Sequence, residues 1–456
     1  MSWKQFFQGR LLTKSEVQRV IEREQLASEQ VWAALTKHPA VMLEPLVCGR
    51  CHNNDSTQFA TFTTVAGERC CYCLACLTMG RCDSLGFLYA LEGAEQALLP
   101  RSVQMAWTGQ LSTAQQQISD ALVSGLQQEL PQLVWAVTGA GKTEMLYGVI
   151  QTVLQQGGLV GVASPRVDVC LELAPRLAAA FPTIEQQVLY GDNFAPYRRV
   201  PLTIATTHQL LRCRQLFDLL IVDEVDAFPY VNSASLHFAV TNAINETGRL
   251  IYLTATPDKT LQRAIQQKQL QVHILPARYH RFPLPEPDFY WCGDWREQIL
   301  TGKLSRRLSQ LLTQFVQLDG AKLLFMPQIE LAERLAQLLV DAFPAVRLVA
   351  VHAQDPQRHE KVQQLRQGEL DLLVTTTILE RGVTFSHCHV CILGAEHRGF
   401  SEAALVQMSG RVGRNPHYPT GALWWLHQGV SRNMKSARQQ IRQMNQRARE
   451  WGLVNE

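Results

Sequence analysis

Apolar residues in this chain recur in short runs separated by stretches with helical spacing, and that alternation is the first thing the sequence establishes. From about residue 107, runs of strand length at 133–137, 159–163, 202–205, 219–222 and 250–253 alternate with amphipathic segments. In 143–155, Leu146, Val149, Ile150 and Val153 share one helical face, and Gly157 follows as a stop signal. Strands alternating with helices imply a parallel sheet covered on both faces. The alternation lapses at 276–295, where Pro276, Pro283, Pro285 and Pro287 cannot continue a helix and read as a linker. It restarts with apolar runs at 323–326, 348–351, 370–374, 390–393 and 422–426. Two consecutive α/β lobes are the simplest reading, an architectural repeat without a sequence repeat.

Ahead of the lobes, residues 1 to about 40 carry a helical pattern in which Thr13 and Glu16 are spaced as a capping box. A cysteine-rich segment follows, then a further helical stretch to about Arg101. At the other end, Met434, Ala437, Ile441, Met444 and Ala448 form one face of a helix, opposite Arg432, Lys435, Arg438, Arg442, Arg447 and Arg449. A helix docked on the second lobe with a basic outer side accounts for this; a strip facing DNA or membrane is the alternative. The expected organisation is therefore 1–104 for the N-terminal segment, 105–278 for the first lobe, 279–295 for the linker, 296–430 for the second lobe and 431–456 for the basic helix.

Composition narrows the class. A chain of 456 residues, 46% hydrophobic and 18% charged, is globular and long enough for about three domains. A formal net charge of +3 requires any nucleic-acid surface to be a local patch. Residues 1–10 lack the apolar core of a signal peptide, and there is no apolar run of about 18 residues that would span a bilayer. Twelve cysteines without a secretion signal point to a reducing cytosol, where clustered thiols bind metal.

Seven of those cysteines lie between Cys48 and Cys82. Cys48 and Cys51 form one CxxC pair and Cys73 and Cys76 a second, with 21 residues between them. Two such pairs close a tetrahedral thiolate site for Zn²⁺, and four thiolates leave no open position for catalysis. Cys70 and Cys73 also make a CxxC, which leaves one ambiguity of register; Cys73 and Cys76 are preferred because they mirror the first knuckle and leave Cys70 and Cys71 to pack, and His52 and Cys82 rank behind them as ligands. Cys170, Cys213, Cys292, Cys388 and Cys391 read as core or surface residues.

After the first strand of the first lobe comes Ala136-Val137-Thr138-Gly139-Ala140-Gly141-Lys142-Thr143, opening a helix. Glycines let backbone wrap a phosphate chain, and amides at a helix start donate to it. Lys142 would reach the β- and γ-phosphates of ATP, and the Thr143 hydroxyl would ligate Mg²⁺. Further on, an apolar strand runs into Asp223-Glu224-Val225-Asp226. Asp223 would hold the metal and its water shell, and Glu224 would orient the attacking water.

These motifs, with Thr254-Ala255-Thr256 after a strand, resemble motifs I, II and III of superfamily 2 helicases, in which Ala commonly stands where Ala136 does. The second lobe is similar in the same way: 375–385 looks like motif V, and Gln407-Met408-Ser409-Gly410-Arg411-Val412-Gly413-Arg414 like motif VI. The resemblance implies two tandem RecA-like lobes. Arg411 and Arg414 would stabilise charge on the transferring phosphoryl group, with Gln407 near the γ-phosphate. It implies an adenine-reading glutamine at Gln115, where Gln116 and Gln117 leave the register open. For nucleic acid it points to Ser164-Pro165-Arg166 and Thr206-Thr207-His208-Gln209 in the first lobe, and to 325–327, His352 and Thr376 in the second; Arg166, Thr207, His208 and Thr376 are the residues singled out.

A four-cysteine segment before the motor, the DEVD box and the 377–385 string together resemble the late competence protein ComFA family, whose motor is similar to that of the primosomal helicase PriA. That resemblance implies a DNA-dependent ATPase that pulls single-stranded DNA into the cytoplasm during natural transformation, peripheral at the inner face of the membrane. It implies the uptake channel ComEC, the phosphoribosyltransferase-like ComFC and the recombination mediator DprA as partners. A PriA-like restart or repair helicase and a zinc-dependent DNA-binding scaffold with incidental ATPase are the alternatives. A small-molecule P-loop kinase fits poorly with a second lobe ending in motif VI.

Overall fold

A computed structural model describes residues 2–92, 99–191, 197–380 and 385–455. Chain proximity divides it into two compact units, 1–134 with 143–273 and 135–142 with 274–456. Its strands are numbered β1–β20 in chain order.

In the N-terminal segment, β1 (Leu12–Thr13), β2 (Thr36–Pro39) and β7 (Phe87–Ala90) pair antiparallel in the order β1-β7-β2. Two hairpins lie between them, β3 (Val41–Leu43) with β4 (Leu46–Cys48) and β5 (Phe59–Thr63) with β6 (Arg69–Cys73). Helices Lys14–Arg23 and Ser28–Ala34 precede β2. The expectation of continuous helix on both sides of the cysteines is thus corrected: 36–39 and 87–90 are strands, held by pairing with each other rather than by local propensity. Residues 93–98 of the expected second helical stretch lie outside the described residues. The Thr13–Glu16 capping box is present, with the Glu16 carboxylate accepting from the Thr13 N–H at 2.8 Å.

The first lobe is a seven-stranded sheet made of β8 (Gln132–Ala136), β9 (Val160–Ser164), β10 (Gln186–Leu189), β11 (Leu202–Thr206), β12 (Phe217–Val222), β13 (Ile244–Thr254) and β14 (Gln271–Leu275). Their spatial order is β10-β11-β9-β12-β13-β8-β14, and the ladders joining β9 to β13 are parallel. Strands β9 and β11 are buried at every position, as expected when helices cover both faces of a sheet. The helix expected at 143–155 is broken at Leu146 into Lys142–Met145 and Tyr147–Gln155, and Gly157 ends it at φ +89°. The cysteine-rich segment shares a core with this lobe: Cys48, Cys73, Cys76 and Met79 belong to the same buried cluster as Leu216, Phe217 and Leu220. His52 stacks on Phe238 with ring centroids 4.7 Å apart.

The second lobe is a six-stranded parallel sheet of β15 (Asp288–Trp291), β16 (Ala321–Phe325), β17 (Leu348–Val351), β18 (Leu372–Thr375), β19 (Cys388–Leu393) and β20 (Leu423–His427), ordered β15-β20-β19-β16-β18-β17. Residues 288–291, expected within the linker, are the edge strand β15. Helix Arg432–Glu450 buries Met434, Ala437, Ile441, Met444 and Ala448. Asn445 on that face accepts the Leu284 N–H at 2.7 Å and donates to the Leu284 carbonyl at 2.9 Å, so residues before β15 are laced to this helix. No helix among the described residues is long and apolar enough to cross a membrane.

Candidate functional site

The motifs of the first lobe sit where its strands end. Ser164 closes β9, Thr206 closes β11, Asp223 follows β12 and Thr254 closes β13, so four motifs share the carboxyl edge of one parallel ladder, the edge at which open α/β sheets bind ligands. The loop 137–141 follows β8, with Gly139 and Gly141 at φ +78° and +72°, backbone that side chains with a Cβ rarely adopt. Lys142 and Thr143 open the next helix, and Thr143 is buried. Asp223 is fixed through its backbone, its N–H donating to the Ala163 carbonyl at 2.8 Å, and its carboxylate caps the Glu224 N–H at 2.8 Å. Glu224 itself is left-handed at φ +58°, a conformation that persists in a non-glycine residue only where the surroundings impose it.

Asp226 was not given a role in the sequence. It is buried and accepts from the Thr254 hydroxyl at 2.8 Å and the Thr256 hydroxyl at 2.6 Å, locking the third motif to the second. Two threonines spaced by one residue after a strand are a readable signal for such a clamp only once the partner strand is known.

Gln115 is the one buried member of its glutamine run and completes a capping box, its side-chain oxygen accepting the Ser112 N–H at 2.8 Å. Gln116 is exposed and donates to Asp120 at 2.8 Å, and Gln117 is exposed. Arg166 is the N-cap residue of helix Val167–Ala180. Thr207 and His208 begin a short 3₁₀ helix, Thr207–Arg212; Thr207 is buried, and burial lowers the pKa of half-buried His208.

In the second lobe Gln407 lies on helix Glu402–Ser409 and is buried, as is Arg411, whose Nε donates to the Glu380 carbonyl at 3.0 Å. Arg414 is partly exposed and donates to the Gly410 carbonyl at 3.2 Å. Thr376 directly precedes the turn Thr377–Leu379, while residues 381–384 of the motif V-like string lie outside the described residues. The turn carrying Arg411 and Arg414 is held by a residue that sequence reasoning passed over. Arg278 is fully buried and donates to the carbonyls of Val412 at 2.8 Å, Gly413 at 2.5 Å and Gly410 at 3.2 Å. Burial, and next the charge of Arg414, lower its pKa.

Cys48, Cys51, Cys73 and Cys76 gather with their sulfurs all within 4.8 Å of one another, and all four are buried. The Cys48–Cys76 and Cys51–Cys73 separations are both 3.6 Å. A tetrahedron with Zn–S bonds of about 2.3 Å has edges of about 3.8 Å, so the spacing fits Zn²⁺. Asn53 donates to the Cys73 sulfur at 3.7 Å, the kind of outer contact that orients a thiolate ligand. Cys70 turns instead toward the Glu68 carbonyl, at 3.8 Å. Metal analysis of the purified chain is expected to find stoichiometric zinc that is absent from the Cys48→Ala/Cys51→Ala variant; unchanged zinc in that variant would remove both thiols from the ligand set.

Inside the first knuckle, Arg50 is fully buried, and it links the zinc segment to the motor. Its guanidinium donates to the Glu16 carboxylate at 2.5 Å and to the Met79 carbonyl at 2.9 Å. The other Glu16 oxygen takes the Arg212 Nε at 2.6 Å, and Arg212 in turn donates to the Gln209 side chain at 2.9 Å. Burial raises the Glu16 pKa, and the charges of Arg50 and Arg212, with the Thr13 N–H, more than offset that and hold it at about 2. One carboxylate thus joins the N-terminal helix, the cysteine knuckle and the turn that follows β11.

Comparisons with known proteins agree with this architecture. Residues 108–259 match the type III restriction enzyme res-subunit model, and 304–416 the helicase conserved C-terminal domain. The helicase Lhr of Mycobacterium smegmatis, solved with single-stranded DNA and AMP-PNP, superposes with a TM-score of 0.54 at 19% identity, over 72% of this chain and 48% of that one. Fold and motifs define a helicase-like protein of superfamily 2, with tandem RecA-like lobes behind a four-cysteine segment. Residues 1–90 match the competence protein ComFA N-terminal domain. The chain is 42% identical to competence protein ComFA of Bacillus subtilis over 88% of its length and 86% of the relative's. It is 40% identical to the Streptococcus pneumoniae protein of that name, over 96% and 98%. The chain belongs to the competence protein ComFA family.

Proposed function

We propose that this chain is an ATP-driven motor that moves along single-stranded DNA during natural transformation. The observation that carries the reading is the shared edge of the first sheet. There the hydrolytic carboxylates after β12, the clamp of Thr254 and Thr256 on Asp226, and the hydroxyl-bearing turns after β9 and β11 stand on adjacent strands of one rigid ladder. A shift imposed on one motif by nucleotide is then felt by its neighbours, which is what coupling of hydrolysis to strand movement requires.

In this reading Gln115 reads the adenine, and 136–141 cradle the phosphates. Lys142 neutralises the β- and γ-phosphate charge, Thr143 and Asp223 hold Mg²⁺, and Glu224 orients the attacking water. The Mg²⁺ that Thr143 and Asp223 would hold would supply charge neutralisation for the phosphoryl group being transferred. Gln407, Arg411 and Arg414 serve the transferring phosphoryl group, and Arg278 keeps their turn in shape. Arg166, Thr207, His208 and Thr376 grip the backbone of the strand without reading its bases. The four cysteines hold Zn²⁺ in a structural role. ComEC, ComFC and DprA are the partners on this reading, and the motor works at the inner face of the membrane.

The test is steady-state ATPase activity with no nucleic acid, duplex DNA, single-stranded DNA and RNA. Stimulation severalfold greater with single-stranded DNA than with duplex is expected. Equal stimulation by duplex or forked DNA would favour a strand-separating helicase, and no stimulation by any nucleic acid would leave a zinc-dependent scaffold.

A further inference from the structure

The first unit contains a cavity of about 210 Å³ between the N-terminal helix and the turn that follows β11. Arg10, Arg19, Arg23 and Arg212 line it together with Tyr190, and among the described residues Glu16 is the only carboxylate in the lining. That carboxylate is already committed to Arg50 and Arg212. Arg10 lies 4.2 Å above the Tyr197 ring, and its Nε is buried without a hydrogen-bond partner. Arg19 makes only a 3.3 Å contact to its own helix through the Ser15 carbonyl, and Arg23 pairs with Glu24, which does not line the cavity. Arg10 and Arg19 therefore bring guanidinium charge to the lining beyond what its carboxylate offsets among the described residues. Burial also lowers the Arg10 pKa, the direction expected for a cation held away from water.

We propose that this cavity is a phosphate subsite for the nucleic-acid strand, receiving one backbone phosphate on its arginines with a base against Tyr190. The proposal rests on reading the lobes as a nucleic-acid motor. Its volume falls below the ~300–1,000 Å³ of sites that swallow a whole small ligand, so it suits one unit of a polymer whose remainder lies outside. Its floor adjoins the strand-gripping turn: Gln209 and Arg212 line the cavity, and both belong to the 3₁₀ helix that begins with Thr207 and His208. Basic groups interleaved with an aromatic face are how single strands are held without sequence preference. The N-terminal segment thereby extends the strand's track beyond the two lobes.

The test is the affinity of the full chain for a fluorescent oligo-dT at several salt concentrations, for wild type, Arg19→Ala/Tyr190→Ala and Arg10→Ala. Arg19 is exposed and Tyr190 partly so, and the double variant should keep the wild-type melting temperature even if loss of the half-buried Arg10 unfolds the segment. The double variant is expected to bind about tenfold more weakly, through the lost stacking. Its plot of log affinity against log salt should be shallower by about 0.7 for each phosphate contact removed. Unchanged affinity and slope would overturn the subsite while leaving the motor reading intact, and failure of wild type to bind the oligonucleotide would end both. Loss of poly-glutamate binding with DNA affinity retained would assign the cavity to an acidic protein. Protection of the wild type by inorganic phosphate, with DNA affinity the same in all three chains, would assign it to a free anion; either result overturns the proposal.

Discussion

Replacing Lys142 with alanine is expected to lower ATP turnover by about a hundredfold to a thousandfold, the loss found when one preorganised charge or donor is removed from a site of charge development. Lys142 opens the helix after β8, behind two glycines whose positive φ lets the loop curl. The backbone cradle therefore survives the substitution, and the point charge that would reach the phosphates does not. Steady-state hydrolysis at saturating single-stranded DNA reads the effect, and an unchanged melting temperature assigns it to chemistry. Turnover within a fewfold of wild type would remove Lys142 from the phosphate site and with it the reading of 136–143 as the nucleotide loop.

The second large effect concerns stability. Glu16→Ala leaves two guanidinium groups, Arg50 fully buried and Arg212 mostly so, without the carboxylate they share. Breaking a buried pair by removing one partner costs about 3–5 kcal/mol, because the remaining charge stays desolvated. Denaturation followed by tryptophan fluorescence should show that loss in the transition of the first unit, and a loss below about 1 kcal/mol would show the bridge to be ornamental. A cycle with Arg212→Ala separates the pair energy from the capping box that Glu16 also serves. The pH dependence has a definite sign. The folded carboxyl, at about 2, lies below its ordinary value of 4.5, so its contribution is complete above about pH 4.5 and is lost as pH falls towards 2. The gap between wild type and variant should close over that window.

How much of this was legible depended on the distance over which each feature is decided. Strands such as β9, β11 and β12 announce themselves because they are buried at nearly every position and apolar residues dominate each run. The phosphate loop and the DEVD box are local strings with local geometry. Strands β10, β14 and β15 were missed; their sequences, Gln-Gln-Val-Leu, Gln-Val-His-Ile-Leu and Asp-Phe-Tyr-Trp, belong to sheet edges, which need no apolar run. The N-terminal strands were read as helix because β1, β2 and β7 are short, and β7 meets its two partners from the far side of the cysteine hairpins. Glu16 was visible as a helix cap, but its bridge to Arg50 and Arg212 spans 34 and 196 residues and leaves no periodic trace. Arg278 likewise reads as one arginine in a proline-rich linker until Gly410, Val412 and Gly413 turn their carbonyls towards it. Of the thiols, the CxxC spacing pointed to the four that gather, while the rejection of Cys70 needed the strand β6 that turns it away.

The Glu16 bridge also bears on how such chains can be rebuilt. Arg50 projects from between two cysteines of the metal knuckle, and its counter-charge is shared with an arginine at the far end of the turn after β11. The first ninety residues are therefore not a detachable cartridge. A chimaera that exchanged this segment for another relative's would join cleanly only if acid and arginines matched on both sides of the seam. Where they did not, the mismatch would surface in the turn Thr207–Arg212 rather than at the splice, and on the proposed reading a defect in gripping the strand would trace to a carboxylate near the start of the chain.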